Sequence, residues 1–486
     1  MATGTRSCDP AVVRELQNAL KAGVAHLDPS RGPILLSFDL PPEFEPLRVW
    51  RAFPGLEATF WQSPDGLRSA SAGRVEFVTA MAGASPGRPE EALTRLADRL
   101  LHLDLLSGEA CPEPIRLFGG TAFAAGAAQG AWQAFGKGGF VLPRLTVEGT
   151  GQRIRGRLVL DGSEAAENQT LARTWVEALC TQADGERVPA EPLAPRASTL
   201  PAAETKREAS GGDPVPDDWV RLVEAARAQI RSRKLRKVVV CRQQAVSLPG
   251  GCDPVSLLSR LASRNQEYVF GFRRGDRTFL GASPELLMEK KGDRLRTEAL
   301  AGTRQLDPDL DRTAALATAA EELYGSGKDL EEHAIVVRGI VESLDSIASE
   351  RMLPAWPEVR GLTGLAHLCS AIEADLRTGL GPLETLAALH PTPAVGGLPR
   401  EAALLFLSET EPVERGWYAG PVGWITPDGD AQIAVGIRSA LVGPDRAWLY
   451  AGAGIVLASN PEDEFRETEA KLRRLSSALG VTEIPG

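Results

Sequence analysis

Tyr450-Ala-Gly-Ala-Gly-Ile-Val-Leu-Ala-Ser-Asn-Pro-Glu-Asp-Glu-Phe-Arg-Glu-Thr-Glu-Ala-Lys471 reads as a strand that ends in a turn and opens a helix. Asn460 stands at the N-cap, Pro461 at the first helical position, and Glu462 and Asp463 fill the first turn. At about 100° per residue, Glu464, Glu467 and Lys471 fall within roughly 60° of one another on that helix. Phe465, Thr468, Leu472, Leu475 and Leu479 cluster on the adjoining arc. Two carboxylates and an ammonium therefore run along the edge of a buried stripe. Carboxylates in that position are costly unless something cationic meets them. A divalent metal and a salt-bridge network both meet that demand.

Moving outward, the preceding third reads as strands over 417–426, 431–442 and 447–457. Before it, helices are expected over 310–346 and 364–377, a helix over 218–232, then the strand Lys237-Val-Val-Val-Cys-Arg and a hairpin from Tyr268 to Ala282 with another strand near 294–300. Residues 10–25 have the pattern of an amphipathic helix. Between 33 and 180, strand-like runs (Ile34–Phe38, Val49–Phe53, Phe140–Pro143, Arg157–Leu160) alternate with helical ones (90–106, 164–182). Residues 181–217 are Pro-, Ala- and Glu-rich and read as a linker or as a loop inside one fold. This divides the chain into 1–180, 181–217 and 218–486. Strands grouped in blocks between helical blocks favour an α+β fold over βαβ alternation.

The chain has 486 residues, 43% apolar and 24% charged, as expected of a globular protein with a large core. Its formal charge of −10 argues against nucleic acid or an anionic membrane as partner, though a local basic pocket can still bind a small anion. No run of about 18 apolar residues occurs and the first residues lack a signal-peptide pattern, so a cytoplasmic protein is expected. Cys8, Cys111, Cys180, Cys241, Cys252 and Cys369 have neither zinc-site nor disulfide-framework spacing and read as reduced thiols.

Five constellations are able to carry chemistry. Lys237 ends a basic run and starts a β-branched strand; it is either a solvated surface lysine or, if the strand turns it inward, a general base. Glu285 follows the turn Gly281-Ala-Ser-Pro; it is either a helix N-terminal residue or a desolvated acid able to donate a proton. Ala301-Gly-Thr303 is a turn offering N–H groups and a hydroxyl to an anion. Lys328-Asp-Leu-Glu-Glu-His333 is an acidic helix start whose Glu332 either serves the helix dipole or meets Glu467 at one cation. Two carboxylates with no His or Cys set suit Mg²⁺ rather than zinc. The glycine-rich stretches 390–399, 416–424 and 434–440 include Tyr418 and Arg438. An arginine on an apolar strand needs an anion, from either a substrate carboxylate or a structural salt bridge.

Taken in order, these stretches resemble the chorismate-utilising enzymes, strongly over 218–480 and more weakly before it, where Phe118-Gly-Gly-Thr-Ala-Phe and Phe140-Val-Leu-Pro are similar to the family's N-terminal region. The resemblance implies one α+β fold of two stacked antiparallel sheets, flanked by helices, around a single active site. Family members that form aminodeoxychorismate carry a lysine where this chain has Ala301, and aminating members usually have Gln where it has Lys237. Lys237 resembles the water-using branch, which comprises isochorismate and salicylate synthases. Leu389–Arg400 and Arg415–Trp424 look most like the isochorismate synthases, and the long N-terminal region is similar to those serving menaquinone synthesis.

The resemblance further implies an isomerase acting on chorismate without nucleic acid, membrane or an obligate partner. Mg²⁺ is expected on Glu332 and Glu467, with Glu464 acting through water. Neutral Lys237 activates water for attack at C2, and protonated Glu285 donates to the departing C4 hydroxyl. Arg438 and Tyr418 are expected to grip the enolpyruvyl carboxylate. Gly302, Thr303, Gly454 and Lys471 are expected to line the site, and His367 to lie near the ring. The alternative activity with the same residues is a salicylate synthase, which goes on to eliminate pyruvate.

Overall fold

The computed structural model describes residues 33–79, 89–104, 114–124, 130–151, 153–161, 165–181, 215–263, 266–362 and 364–480. The expected helix at 10–25 and nearly all of 181–217 lie outside them. The strands are β1 (Ile34–Leu40), β2 (Ala58–Gln62), β3 (Leu67–Val78), β4 (Leu101–Asp104), β5 (Leu117–Thr121), β6 (Gly138–Thr150), β7 (Arg153–Leu160), β8 (Lys237–Ser247), β9 (Tyr268–Arg274) and β10 (Arg277–Ser283). They continue with β11 (Leu286–Lys291), β12 (Arg294–Gln305), β13 (Ala348–Met352), β14 (Glu358–Gly361), β15 (Leu365–Leu376), β16 (Gly397–Leu398), β17 (Pro421–Ile425), β18 (Ala431–Val435), β19 (Ser439–Val442) and β20 (Arg446–Ile455). The helices are α1 (Arg48–Ala52), α2 (Pro89–Arg99), α3 (Ala165–Thr181), α4 (Asp217–Arg231), α5 (Pro254–Ala262), α6 (Arg312–Gly325), α7 (Gly327–Leu344), α8 (Pro382–Leu389), α9 (Arg400–Thr410) and α10 (Pro461–Ala478).

Strand pairing builds two sheets that run into each other. One follows the order β4-β1-β7-β6-β3-β2-β9-β10-β19-β20-β8-β16, antiparallel except for β1 with β4. The other follows β5-β17-β18-β11-β12-β15, with β13 and β14 sharing the far side of β15. They join where β5 pairs with β6. Strands from before and after the 181–217 stretch hydrogen-bond directly, β2 to β9 and β5 to β17. Between the sheets Phe135 and Phe272 each meet Trp417 edge to face, with ring centroids 5.2 and 5.5 Å away. The outer face of β9, β10 and β20 packs on α1, α5 and the Leu472–Leu475–Leu479 stripe of α10. This α+β arrangement agrees with the expected class. Among the described residues no helix is long and apolar enough to cross a membrane.

Several expected elements are different in the structure. The segment 364–377 is a strand, β15, not a helix. Its Ala- and Leu-rich sequence suits a helix locally, but it is buried on both faces over 365–370 and pairs with β12 along eleven positions. Tertiary pairing overrides propensity here. Val49–Phe53 is not a strand but lies in and just beyond the single turn α1, whose Trp50 Nε1 donates to the Thr59 carbonyl at 2.9 Å. The helix of 90–106 stops at Arg99 and gives way to β4. The 310–346 stretch breaks at Ser326, which caps α7 by accepting the Asp329 N–H. Glu285 begins no helix; it sits between β10 and β11.

Candidate active site

α10 starts as its sequence demands. Asn460 Oδ1 accepts the N–H groups of Glu462 and Asp463 at 2.9 and 3.3 Å, and Pro461 needs no donor partner. The cap sets the helix phase, so Glu464 is buried while Glu467 and Lys471 face inward. Across from them, β20 pairs with β8 so that Gly454 lies opposite Val239 and Gly452 opposite Cys241. Alternation then puts Lys237, Val239, Gly452 and Gly454 on one face. Glycines leave that face open beneath the Lys237 side chain.

The result is a cavity lined by Lys237, Glu285, Gly302, Thr303, Glu332, His367, Tyr418, Arg438, Gly454, Glu467 and Lys471 together with apolar and backbone groups. Every expected site residue is in that wall except Glu464, which lies behind it on Lys328.

Lys237 is 1% exposed, and its Nζ is 3.0 Å from Glu332 Oε1 on α7. The inward orientation thus holds and the surface alternative does not. A Cβ on Gly454 would run into that Glu332 oxygen and come 2.8 Å from Lys237 Cε. Any side chain at 454 would have to push the ends of both of these side chains aside.

Glu285 is 3% exposed, and burial pushes its carboxyl up to about 8. The Lys237 charge pulls the other way without prevailing, and Glu298 adds to the rise.

Gly302 sits at a bulge in β12, where the register with β15 slips between Ala301 and Thr303, and its φ of +76° favours glycine. The bulge aims the Gly302 carbonyl at His367 Nδ1, 3.0 Å away. Burial, then the charges of Arg438 and Lys471, lower the His367 pKa to about 3, so the ring is neutral. With its proton on Nδ1, Nε2 accepts from Arg438 Nη2 at 3.4 Å. Thr303 Oγ1 reaches His367 Nδ1 at 3.2 Å and Glu467 Oε1 at 3.5 Å.

Arg438 does not lie on a continuous strand. β18 ends at Val435, β19 begins at Ser439, and Arg438 has φ +52°, a left-handed value uncommon for a side-chain-bearing residue. That kink turns the guanidinium into the cavity. Burial lowers its pKa. Lys237 and Lys471 each meet a carboxylate, Lys471 Nζ lying 2.5 Å from Glu467 Oε1 and donating to the Gly452 carbonyl at 2.8 Å. Among the described residues Arg438 makes no ion pair at contact distance: its guanidinium meets the neutral His367 ring, and the charges of Glu467 and Glu267 reach it only from farther off, so the structural salt bridge allowed by the sequence is not what it makes. Burial opposes the Glu467 carboxylate, but Lys471 and Lys328 outweigh this and hold its pKa below the usual range. For Glu464, burial and then repulsion by Glu467 raise it.

Three groups with no role assigned from sequence also shape the site. Tyr450 stacks on Tyr418 at 5.2 Å, and its hydroxyl accepts from Trp132 Nε1 and Gln243 Nε2. His333, beside Glu332, engages the Ser370 hydroxyl at 2.9 Å next to the β12 bulge. Lys328 donates to Glu464 Oε1 at 2.6 Å. All three lay within quoted motifs, but their partners are far away in sequence and had no local signal. Cys241, Cys252 and Cys369 are free thiols.

Comparison with known proteins gives a consistent result. A family model described as chorismate binding enzyme matches residues 26–480. A salicylate biosynthesis isochorismate synthase of Pseudomonas aeruginosa is 33% identical over 470 residues, covering 93% of this chain and 92% of that protein. The isochorismate synthase MenF of Bacillus subtilis is 34% identical over 370 residues, covering 75% of this chain and 74% of its own. The structure of the menaquinone-specific isochorismate synthase from Escherichia coli aligns with a TM-score of 0.74 at 25% identity, over 96% of this chain and 100% of that one. With its fold, its cavity and a family match running through nearly its whole length, the chain belongs to the chorismate-binding enzymes.

Proposed function

We propose that this protein is an isochorismate synthase, interconverting chorismate and isochorismate by adding water at C2 and releasing the C4 hydroxyl. The observation that carries the reading is the pairing pattern of the cavity cations. Lys237 and Lys471 are matched by carboxylates of the chain, and Arg438 is left for a carboxylate that the substrate brings. Chorismate is a dicarboxylate, and the enolpyruvyl carboxylate is the natural partner of Arg438, with Tyr418 beside it.

Lys237 takes the proton from the attacking water, and Glu285 gives one to the departing hydroxyl. One proton is gained and one lost, while the ring double bonds shift between the two carbons. Burial suits Glu285 to its part, because a carboxyl that titrates near 8 is still largely protonated at neutral pH. Glu332 Oε1, 3.0 Å from Lys237 Nζ, positions the lysine in the cavity, and the same carboxylate would help to hold a cation. His367, neutral and tied to Gly302, presents a fixed polar edge beside Arg438.

The oxygen donors of Glu332 and Glu467, with Glu464 behind them, fit a hard divalent ion. Glu464, behind the wall, and Glu467, in it, repel each other and favour positive charge beside them. Among the described residues no three such groups form a ready-made metal cage, so a bound ion would take further oxygens from substrate and water. Bound Mg²⁺ would neutralise the ring carboxylate and act as a Lewis acid toward the substrate.

Incubation with chorismate, with and without Mg²⁺, followed by chromatography and NMR of the products, tests the reading. A Mg²⁺-dependent equilibrium mixture of chorismate and isochorismate is expected. Salicylate with pyruvate as the only products would assign the sister activity instead. Glu467→Gln is expected to abolish Mg²⁺-dependent turnover, and full activity in that variant would remove Glu467 from the metal set.

Gly454→Ala tests the wall itself. The added methyl must displace the Lys237–Glu332 pair, so kcat is expected to fall about 100-fold or more with the fold retained. Gly452→Ala meets the Tyr418 hydroxyl and Val239 Cγ1 only at 3.1 Å and should cost far less. Equal effects of the two would show that the Lys237–Glu332 geometry is not what matters.

A further inference from the structure

Lys328 is not part of the cavity wall, yet it faces the acidic groups behind it. It lies in the first turn of α7, next to the Ser326 cap and one helical turn before Glu332. Its Nζ is 2.6 Å from Glu464 Oε1 on α10. Burial opposes its charge, but the charges of Glu464, Glu332 and Glu467 prevail, so this ammonium feels all three carboxylates of the expected metal set.

The two partners differ in their freedom to move. The Glu464 side chain is 2% exposed, whereas the Lys328 side chain is 32% exposed on a flexible stem. Without a cation, Glu464 and Glu467 would be like charges held together out of water. A divalent ion entering among them would meet the positive charge already there. The mobile partner is the one able to leave.

We propose that Lys328 is a built-in competitor of the divalent cation: it neutralises Glu464 in the metal-free enzyme and is displaced toward solvent as the metal enters. This rests on the Mg²⁺ site of the proposed function. Metal binding to the substrate-free protein is therefore weaker than the carboxylates alone would give.

The test is Mg²⁺ titration of the full chain without substrate, by calorimetry at constant ionic strength, with melting curves in parallel. Lys328→Met is expected to bind Mg²⁺ about ten-fold more tightly than wild type, to melt lower without metal, and to gain more melting temperature from Mg²⁺. Lys328→Arg keeps the charge and should bind no more tightly than wild type. Lys328→Gln provides a second neutral variant if Lys328→Met does not fold. Glu467→Gln separates the two levels of the reading. If Glu467→Gln loses Mg²⁺ binding while the neutral Lys328 variants bind no tighter than wild type, Lys328 is a structural salt bridge and the proposal falls alone. If Glu467→Gln binds as wild type does, or no variant binds, the metal site falls and the proposal with it.

Discussion

Glu285→Gln is expected to lower kcat by about 10²–10⁴-fold, with KM changed far less, because it removes the proton donor while keeping the shape of the side chain. Glu285 sits in the wall between β10 and β11, 3% exposed, and burial raises its carboxyl to about 8. The acid form is the active one, so turnover by the wild type should fall as pH rises through about 8. The residual activity of Glu285→Gln should lack that limb. A variant that keeps the same alkaline limb and most of its rate would place the acid elsewhere.

Stability should show the same group. Its folded pKa lies above the ordinary carboxylate value of 4.5. The protonated form is thus favoured by folding, and the stability it contributes is complete below about pH 4.5 and lost as pH rises through about 8. Glu285→Gln should lose less stability than wild type over that window, measured by denaturant melts at a series of pH values. Parallel curves for the two proteins would mean that the carboxyl is solvated in the folded state.

Lys237→Ala is expected to remove water addition altogether, with activity down by at least about 10³-fold. The side chain is enclosed, and the deletion also leaves Glu332 without its ammonium, a loss that typically costs about 3–5 kcal/mol when a buried pair is broken. Lys237→Gln separates the two effects, since an amide can still hydrogen-bond Glu332 but cannot take a proton from water. Both variants should be inactive, and Lys237→Gln should melt closer to wild type. Substantial turnover by Lys237→Gln, with a native circular dichroism spectrum, would assign the base to another group.

The reach of sequence reasoning in this protein follows the range of the forces involved. The start of α10 is set by contacts within three residues, the Asn460 cap and Pro461, and its buried stripe by helical periodicity; both were legible. The inward lysine at the head of β8 was legible as one of two alternatives, and the resemblance to a family chose between them. The conformation of 365–376 was not, because its neighbours β12, β13 and β14 come from distant parts of the chain and supply the pairing that its composition lacks. The left-handed kink at Arg438 belongs to the same class: nothing next to it in sequence demands it.

By itself, then, the sequence determined the α+β class, the helix phase that lines up Glu464, Glu467 and Lys471, and the residue types able to do acid, base and anion chemistry. Only the tertiary structure decided which charges meet. Glu332 finds Lys237 across the cavity, Lys328 finds Glu464 136 positions away, and Arg438 makes no ion pair with a carboxylate among the described residues. Coulomb attraction and burial act through space, and spacing along the chain carries no record of the distances on which they depend.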